Sequence, residues 1–125
     1  MSYQLSYRKA PDYLHIEAAG IRTVENFIAI STELLTKTEE HGYKKVLLDM
    51  RGVTGGLRIV DLYKVETKHL SQLWRTTGRP QVVVIDWEDN RKRFEFMETV
   101  AVNNGVNTRM FTDVDEATEW LEVSS

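Results

Sequence analysis

Two short segments limit the folds open to this chain more than any other feature. Val46-Leu47-Leu48 and Val82-Val83-Val84-Ile85 are apolar at every position, and each ends in an aspartate, Asp49 and Asp86. A strand with one face in water alternates apolar and polar residues. A strand that is apolar throughout is covered on both faces, as in the parallel layer of an α/β protein. Each segment is followed by a stretch of helical periodicity. Residues 58–74 carry Ile59, Leu62, Tyr63, Leu70, Leu73 and Trp74, mostly at steps of three and four, and Gly78-Arg79-Pro80 ends them. After the second segment Asp89 or Asn90 can start a helix with Phe94, Met97 and Ala101 on one face, stopped by Asn103-Asn104-Gly105.

The flanks complete the pattern. Residues 3–8 and 13–18 alternate with period two, and Lys9-Ala10-Pro11-Asp12 between them has turn chemistry, so they read as an antiparallel hairpin. Gly20 breaks the alternation. Thr23 can cap a helix bearing Val24, Phe27, Ile28, Leu34 and Leu35, with Gly42 past its end. Residues 108–111 form a short last strand. Asp113, with Glu116 three residues on, opens a final helix whose inner face is Ala117, Trp120 and Leu121. The expected order is β-β-α-β-α-β-α-β-α, an α/β domain over residues 1–125 with a mostly parallel sheet, an N-terminal antiparallel hairpin and about four helices.

Composition narrows function by exclusion. At 125 residues and 42% apolar, the chain can bury one real core, and its net charge of -3 offers no basic footprint for nucleic acid. Arg91-Lys92-Arg93 is a short basic run that reads as a solvated helix face. There is no cysteine, which removes disulfides, zinc-thiolate sites and thiol nucleophiles and suits a reducing, cytoplasmic setting. The opening Met1-Ser2-Tyr3-Gln4 has no basic region followed by an apolar run, and no apolar run is long enough to span a bilayer. His15, His41 and His69 lack metal-ligand spacing, and no hydrolase, phosphate-loop or dinucleotide fingerprint is present, so no cofactor and no catalytic residue is assigned.

Three groups of residues remain as candidates. Arg51, Gly55, Gly56 and Arg58 surround a helix start, where backbone N–H groups and guanidinium can hold an anion; the plainer reading is that Thr54 caps the helix and the glycines turn the chain. Asp49 and Asp86, at the carboxyl ends of the two central strands, can form an acid/base or magnesium pair, or simply cap the turns that follow. Met50, Leu57, Val60, Val65, Trp74, Trp87, Phe96 and Val100 exceed one apolar stripe per helix, and so point to an apolar pocket, a homodimer patch or an ordinary core.

Two longer stretches resemble a known family. Lys44-Lys45-Val46-Leu47-Leu48-Asp49-Met50-Arg51-Gly52-Val53 resembles the central strand and loop of STAS-type domains. Residues 100–113, leading to Glu119-Trp120-Leu121, are similar to the C-terminal end of small bacterial SpoIIAA-like proteins, which are often grouped with CRAL-TRIO lipid-transfer domains. The resemblance implies a four- or five-stranded sheet and a binding or regulatory role. Members near the sporulation regulator carry Asp-Ser-Ser-Gly after the central strand, and a partner kinase phosphorylates the first serine. Here the stretch reads Thr54-Gly55-Gly56-Leu57-Arg58-Ile59-Val60, the serine falls near Arg58, and the phosphoserine role has no residue to carry it. The expectation is a non-enzymatic interaction or ligand-binding module with a protein partner or a small apolar or anionic ligand. The alternative is a small lipid or apolar-acid carrier, and the third reading an enzyme using Asp49 and Asp86.

Overall fold

A computed structural model describes residues 3–123. Met1 and Ser2, the start of the segment expected to lack a signal pattern, lie outside the described residues. The five strands are β1 (Tyr3–Lys9), β2 (Leu14–Ile21), β3 (Lys45–Thr54), β4 (Gln81–Ile85) and β5 (Thr108–Phe111), and they stand side by side in chain order. β1 pairs antiparallel with β2 and every other neighbour pair is parallel. The central pairing joins the two apolar segments directly, with Val46 beside Val82 and Leu48 beside Val84.

Each crossover moves the chain one strand over. α1 (Val24–Glu40) joins β2 to β3, and α4 (Arg91–Asn103), preceded by the 3-10 turn Glu88–Asn90, joins β4 to β5. Between β3 and β4 the helix expected over 58–74 is present but irregular. It runs as α2 (Ile59–Val65), a π-helical turn (Glu66–Leu70) and α3 (Ser71–Thr76) without leaving helical backbone angles. Counted as one, these give four helices with α5 (Val114–Val123). Alternation then sorts the sheet residues. Leu14 and Ile16, Val46, Leu48 and Met50, and Val84 pack under α1 to α4. Leu47, Val83 and Ile85 face the other way, onto Ala117 and Leu121 of α5. One helix cannot cover that second face, so among the described residues it stays open around Gln4, Ser6, Glu17 and Ala19.

Local details follow chemistry the sequence displays. Thr23 accepts from the Asn26 N–H at 3.0 Å and caps α1. Gly42, just past the His41 cap, takes a φ of 75° that a side chain would resist. Gly20 does not end β2. With φ at 140° it continues the strand to Ile21, so that Arg22 donates its backbone N–H to Thr54 at the end of β3. Asp113 accepts from the Asp115 N–H at 2.8 Å at the start of α5.

A register shift between Glu17 and Ala19 places Ala19 opposite Gly52. A Cβ on Gly52 would lie 2.7 Å from the Ala18 carbonyl oxygen, which is backbone and cannot swing aside. Gly52→Ala is therefore expected to destabilise the fold by about 1–3 kcal/mol. Urea denaturation measures this, and an unchanged midpoint would contradict the packing at the bulge.

Candidate functional site

β3 runs on past Asp49 to Thr54, so the helix-start loop is residues 55–58. Gly55 has a φ of 88°. Thr54 does not cap α2; its Oγ1 donates to the Gly20 carbonyl at 3.3 Å. Arg58 stands at the cap position with no side-chain cap bond, and its guanidinium is spent on Asp61 of the first turn, at 3.1 and 3.4 Å. Asp61 already supplies the negative charge that a helix start favours. The guanidinium beside the glycines belongs to Arg93: a Cβ on Gly56 would sit 2.9 Å from it. The last residue of the basic run 91–93 thus packs on the loop, a contact that only the tertiary fold creates.

Leu57 is buried, but Ile59, Val60 and Tyr63 on the exposed side of α2 are 49%, 48% and 50% exposed. They recur at i, i+1 and i+4 and share one face. Phe96 of α4 is half-buried with its ring 6.4 Å from that of Tyr63, and extends the patch. Met50 and Trp74 lie in the core, and the Trp74 indole donates to the Pro80 carbonyl at 2.6 Å.

The two strand-end carboxylates do not meet. Asp49 pairs in register with Ile85, so Asp86 lies one residue further on and one face over. Asp86 is fully buried on the helix side, where its Oδ2 accepts from Arg22 at 2.9 Å and its Oδ1 from the Trp87 N–H at 2.7 Å and Asn90 Nδ2 at 3.3 Å. Arg22 in turn lies 5.6 Å over the Phe94 ring. Asp49 is on the open face. Arg51 grips it with two side-chain bonds at 3.0 and 2.7 Å and a backbone bond at 3.0 Å. Burial raises the Asp49 pKa, but these bonds outweigh it and hold the carboxyl below its ordinary value.

Arg51 therefore belongs to the open face rather than to the glycine loop. There it lies 5.7 Å from the ring of Trp87, whose indole N–H donates to the Arg51 carbonyl at 2.9 Å. These residues with Gln4, Ser6 and Glu17 bound a groove of about 370 Å³. Next to it His15 of β2 is buried. Arg8 lies 2.8 Å from Nδ1, and because Arg8 can only donate, the imidazole proton sits on Nε2. Nε2 is 3.7 Å from Glu17, too far for a hydrogen bond. Burial, with Arg8 beside the ring, lowers the His15 pKa.

A second cavity lies inside, between the sheet and α1 to α4, with a volume of about 80 Å³. Leu34, Met50, Trp74 and Phe94 line it, and Glu66 of the π turn, only 3% exposed, opens onto it. A drug-sized apolar ligand takes roughly 300 Å³ or more. Among the described residues no cluster of three or more His, Asp or Glu side chains is placed to hold a metal, and no helix is long and apolar enough to cross a membrane.

At the level of sequence no family model and no curated protein matches the chain. Solved structures match its architecture. An anti-sigma factor antagonist from Mycobacterium paratuberculosis superposes with a TM-score of 0.60 at 12% identity, over 97% of this chain and 95% of that one. An uncharacterized DUF3478-family protein with a SpoIIAA-like fold, from Shewanella loihica, does so with a TM-score of 0.54 at 21% identity, over 96% of this chain and 93% of its own. The chain has a SpoIIAA-like fold. Within this SpoIIAA-like frame, the turn after the central strand is the Gly55-Gly56 loop, and the polar groove lies on the sheet face away from it.

Proposed function

We propose that the chain is a non-enzymatic interaction module that docks a protein partner on the start of α2. The observation that carries this reading is the patch of Ile59, Val60 and Tyr63, three large apolar side chains half exposed beside a glycine turn. Exposed apolar clusters of this kind mark protein contacts. The comparison adds support: one fold neighbour is an anti-sigma factor antagonist, a protein named for acting on another protein. The stretch that resembles the phosphorylated segment holds Arg58 paired with Asp61 and no serine, so docking here is not switched by phosphorylation at that point. The enzyme reading has less support, because Asp49 and Asp86 are each committed to their own arginine on opposite faces. The carrier reading has less as well, since the inner cavity is far below the size of an acyl chain's pocket.

Affinity purification with quantitative mass spectrometry tests this, comparing the wild type with Val60→Asp/Tyr63→Ala. The expected result is a partner that binds the purified wild type directly and loses at least about tenfold in affinity, ~1.4 kcal/mol, with the double variant. Native mass spectrometry shows whether that partner is a second copy of the chain. Partners retained equally by both forms, with melting unchanged, would remove α2 as the docking face.

A further inference from the structure

The groove on the open sheet face combines features that the α2 patch lacks. Its floor is Ala18, Ala19 and Gly52, the small residues of the β-bulge, which leave the backbone approachable. Its wall is the Trp87 ring, 54% exposed. An exposed indole is usually free to turn, but this one is held. Its backbone N–H is bound to the buried Asp86 and its ring N–H to the Arg51 carbonyl, while Arg51 is clamped by Asp49. The platform is thus preformed, and a ligand need not order it. Because the ring N–H is already used, Trp87 can offer only the apolar surface that the Arg51 guanidinium does not cover.

The polar groups narrow the ligand. Gln4 and Ser6 of β1 face the groove with both donors and acceptors. Two carboxylates, Glu17 and Asp49, stand against one guanidinium, Arg51, so the lining carries one net negative charge. That disfavours phosphates and carboxylates, and the Arg51 charge is in any case engaged by Asp49. A wholly apolar molecule would strand the polar rim without partners. A neutral ring with C–H groups on one face and hydroxyls at its edge meets both demands: the C–H face lies on the indole and the hydroxyls share Gln4, Ser6 and Glu17. The volume of about 370 Å³ is within the range of small-molecule sites, and the groove lies toward the carboxyl ends of β2 and β3, where ligands gather in parallel sheets. We propose that this groove binds a neutral saccharide ring, with Trp87 as the stacking platform.

The inference does not depend on partner docking at α2, which lies on the helix side of the sheet. The test is nuclear magnetic resonance on the intact chain with D-glucose, D-galactose and D-mannose, each titrated to about 10 mM, the range expected for one ring in an open groove. The expected result is saturation transfer to the ring protons of at least one sugar, with shifts at the Trp87 indole and the Gln4 side-chain amide. The saturation transfer and the Gln4 shift should vanish in Trp87→Ala. They should also vanish in Ala19→Phe, which fills the groove while leaving the platform in place, and persist in Trp120→Phe. Choline chloride and sodium phosphate serve as cationic and anionic probes. No response to any of the three sugars, a response centred outside the groove, or larger groove shifts with choline or phosphate would each overturn the proposal.

Discussion

Asp86→Ala is expected to cost about 3–5 kcal/mol of folding stability, the loss typical when one partner of a buried ion pair is removed. Asp86 is fully buried and the Arg22 side chain is 4% exposed, so solvent cannot replace the lost carboxylate. Arg22 is already short of partners: its Nε has no hydrogen-bond acceptor among the described residues, and its bond to the Val53 carbonyl is long at 3.5 Å. The same substitution frees the Trp87 N–H and the Asn90 amide, which shape the turn into α4. Domains of this kind have roughly 5–15 kcal/mol in total, so the variant should be near unfolding at 37 °C. Urea denaturation at neutral pH measures the loss. Arg22→Met/Asp86→Leu should recover most of it, because a well-packed apolar pair has no charge to desolvate. A loss below about 1 kcal/mol for Asp86→Ala would show that the pair is hydrated.

This pair also links the fold to the proposed docking face. Arg22 follows β2, Asp86 follows β4, and β3 lies between them, so the bridge crosses beneath the end of the central strand. The Arg22 backbone N–H is bound to Thr54, and Gly55 lies over its side chain. The glycine loop is therefore tied to the buried charge pair through Arg22, while its Leu57 sits in the apolar core. A variant that breaks the pair should disturb the loop as well as the core.

The sheet was legible from the sequence because its signals are local. The two fully apolar runs, the alternating hairpin and the Thr23 cap each depend on neighbours in the chain. What was hidden depends on register. Asp49 and Asp86 look equivalent at the ends of similar runs, yet the pairing of Asp49 with Ile85 sets them on opposite faces. Arg22 and Asp86 are 64 positions apart, and nothing near either residue announces the other. Arg93 looked like a solvated charge until α4 was laid against the Gly56 loop. Glu66 was missed for a different reason. The helix over 58–74 reads at the α-helical period, and Glu66, four residues after Leu62 and four before Leu70, falls on its inner stripe, but a carboxylate carries no apolar signal. One trace was visible: the apolar positions chosen for that helix leave a gap between Tyr63 and Leu70.

Glu66 gives the second large effect, and it depends on pH. Its carboxyl is 3% exposed, opens onto an apolar cavity, and has Ser71 Oγ at 3.1 Å as its hydrogen-bond partner. Burial raises its pKa above the ordinary glutamate value, and the Ser71 bond offsets only part of this. The folded state thus holds the proton more tightly than the unfolded chain. The stability this provides is fully present below the unfolded value, about 4.3, and is lost as pH rises through the folded one. Glu66→Gln keeps the shape and the Ser71 contact but cannot ionise. It should match the wild type near pH 4 and exceed it by roughly 1–3 kcal/mol above the folded pKa, the size of a buried polar group's desolvation. Urea midpoints for both proteins across that range decide the matter. Parallel curves would mean that Glu66 ionises in the fold as easily as in water, and that the cavity beside it is wet enough to solvate a charge.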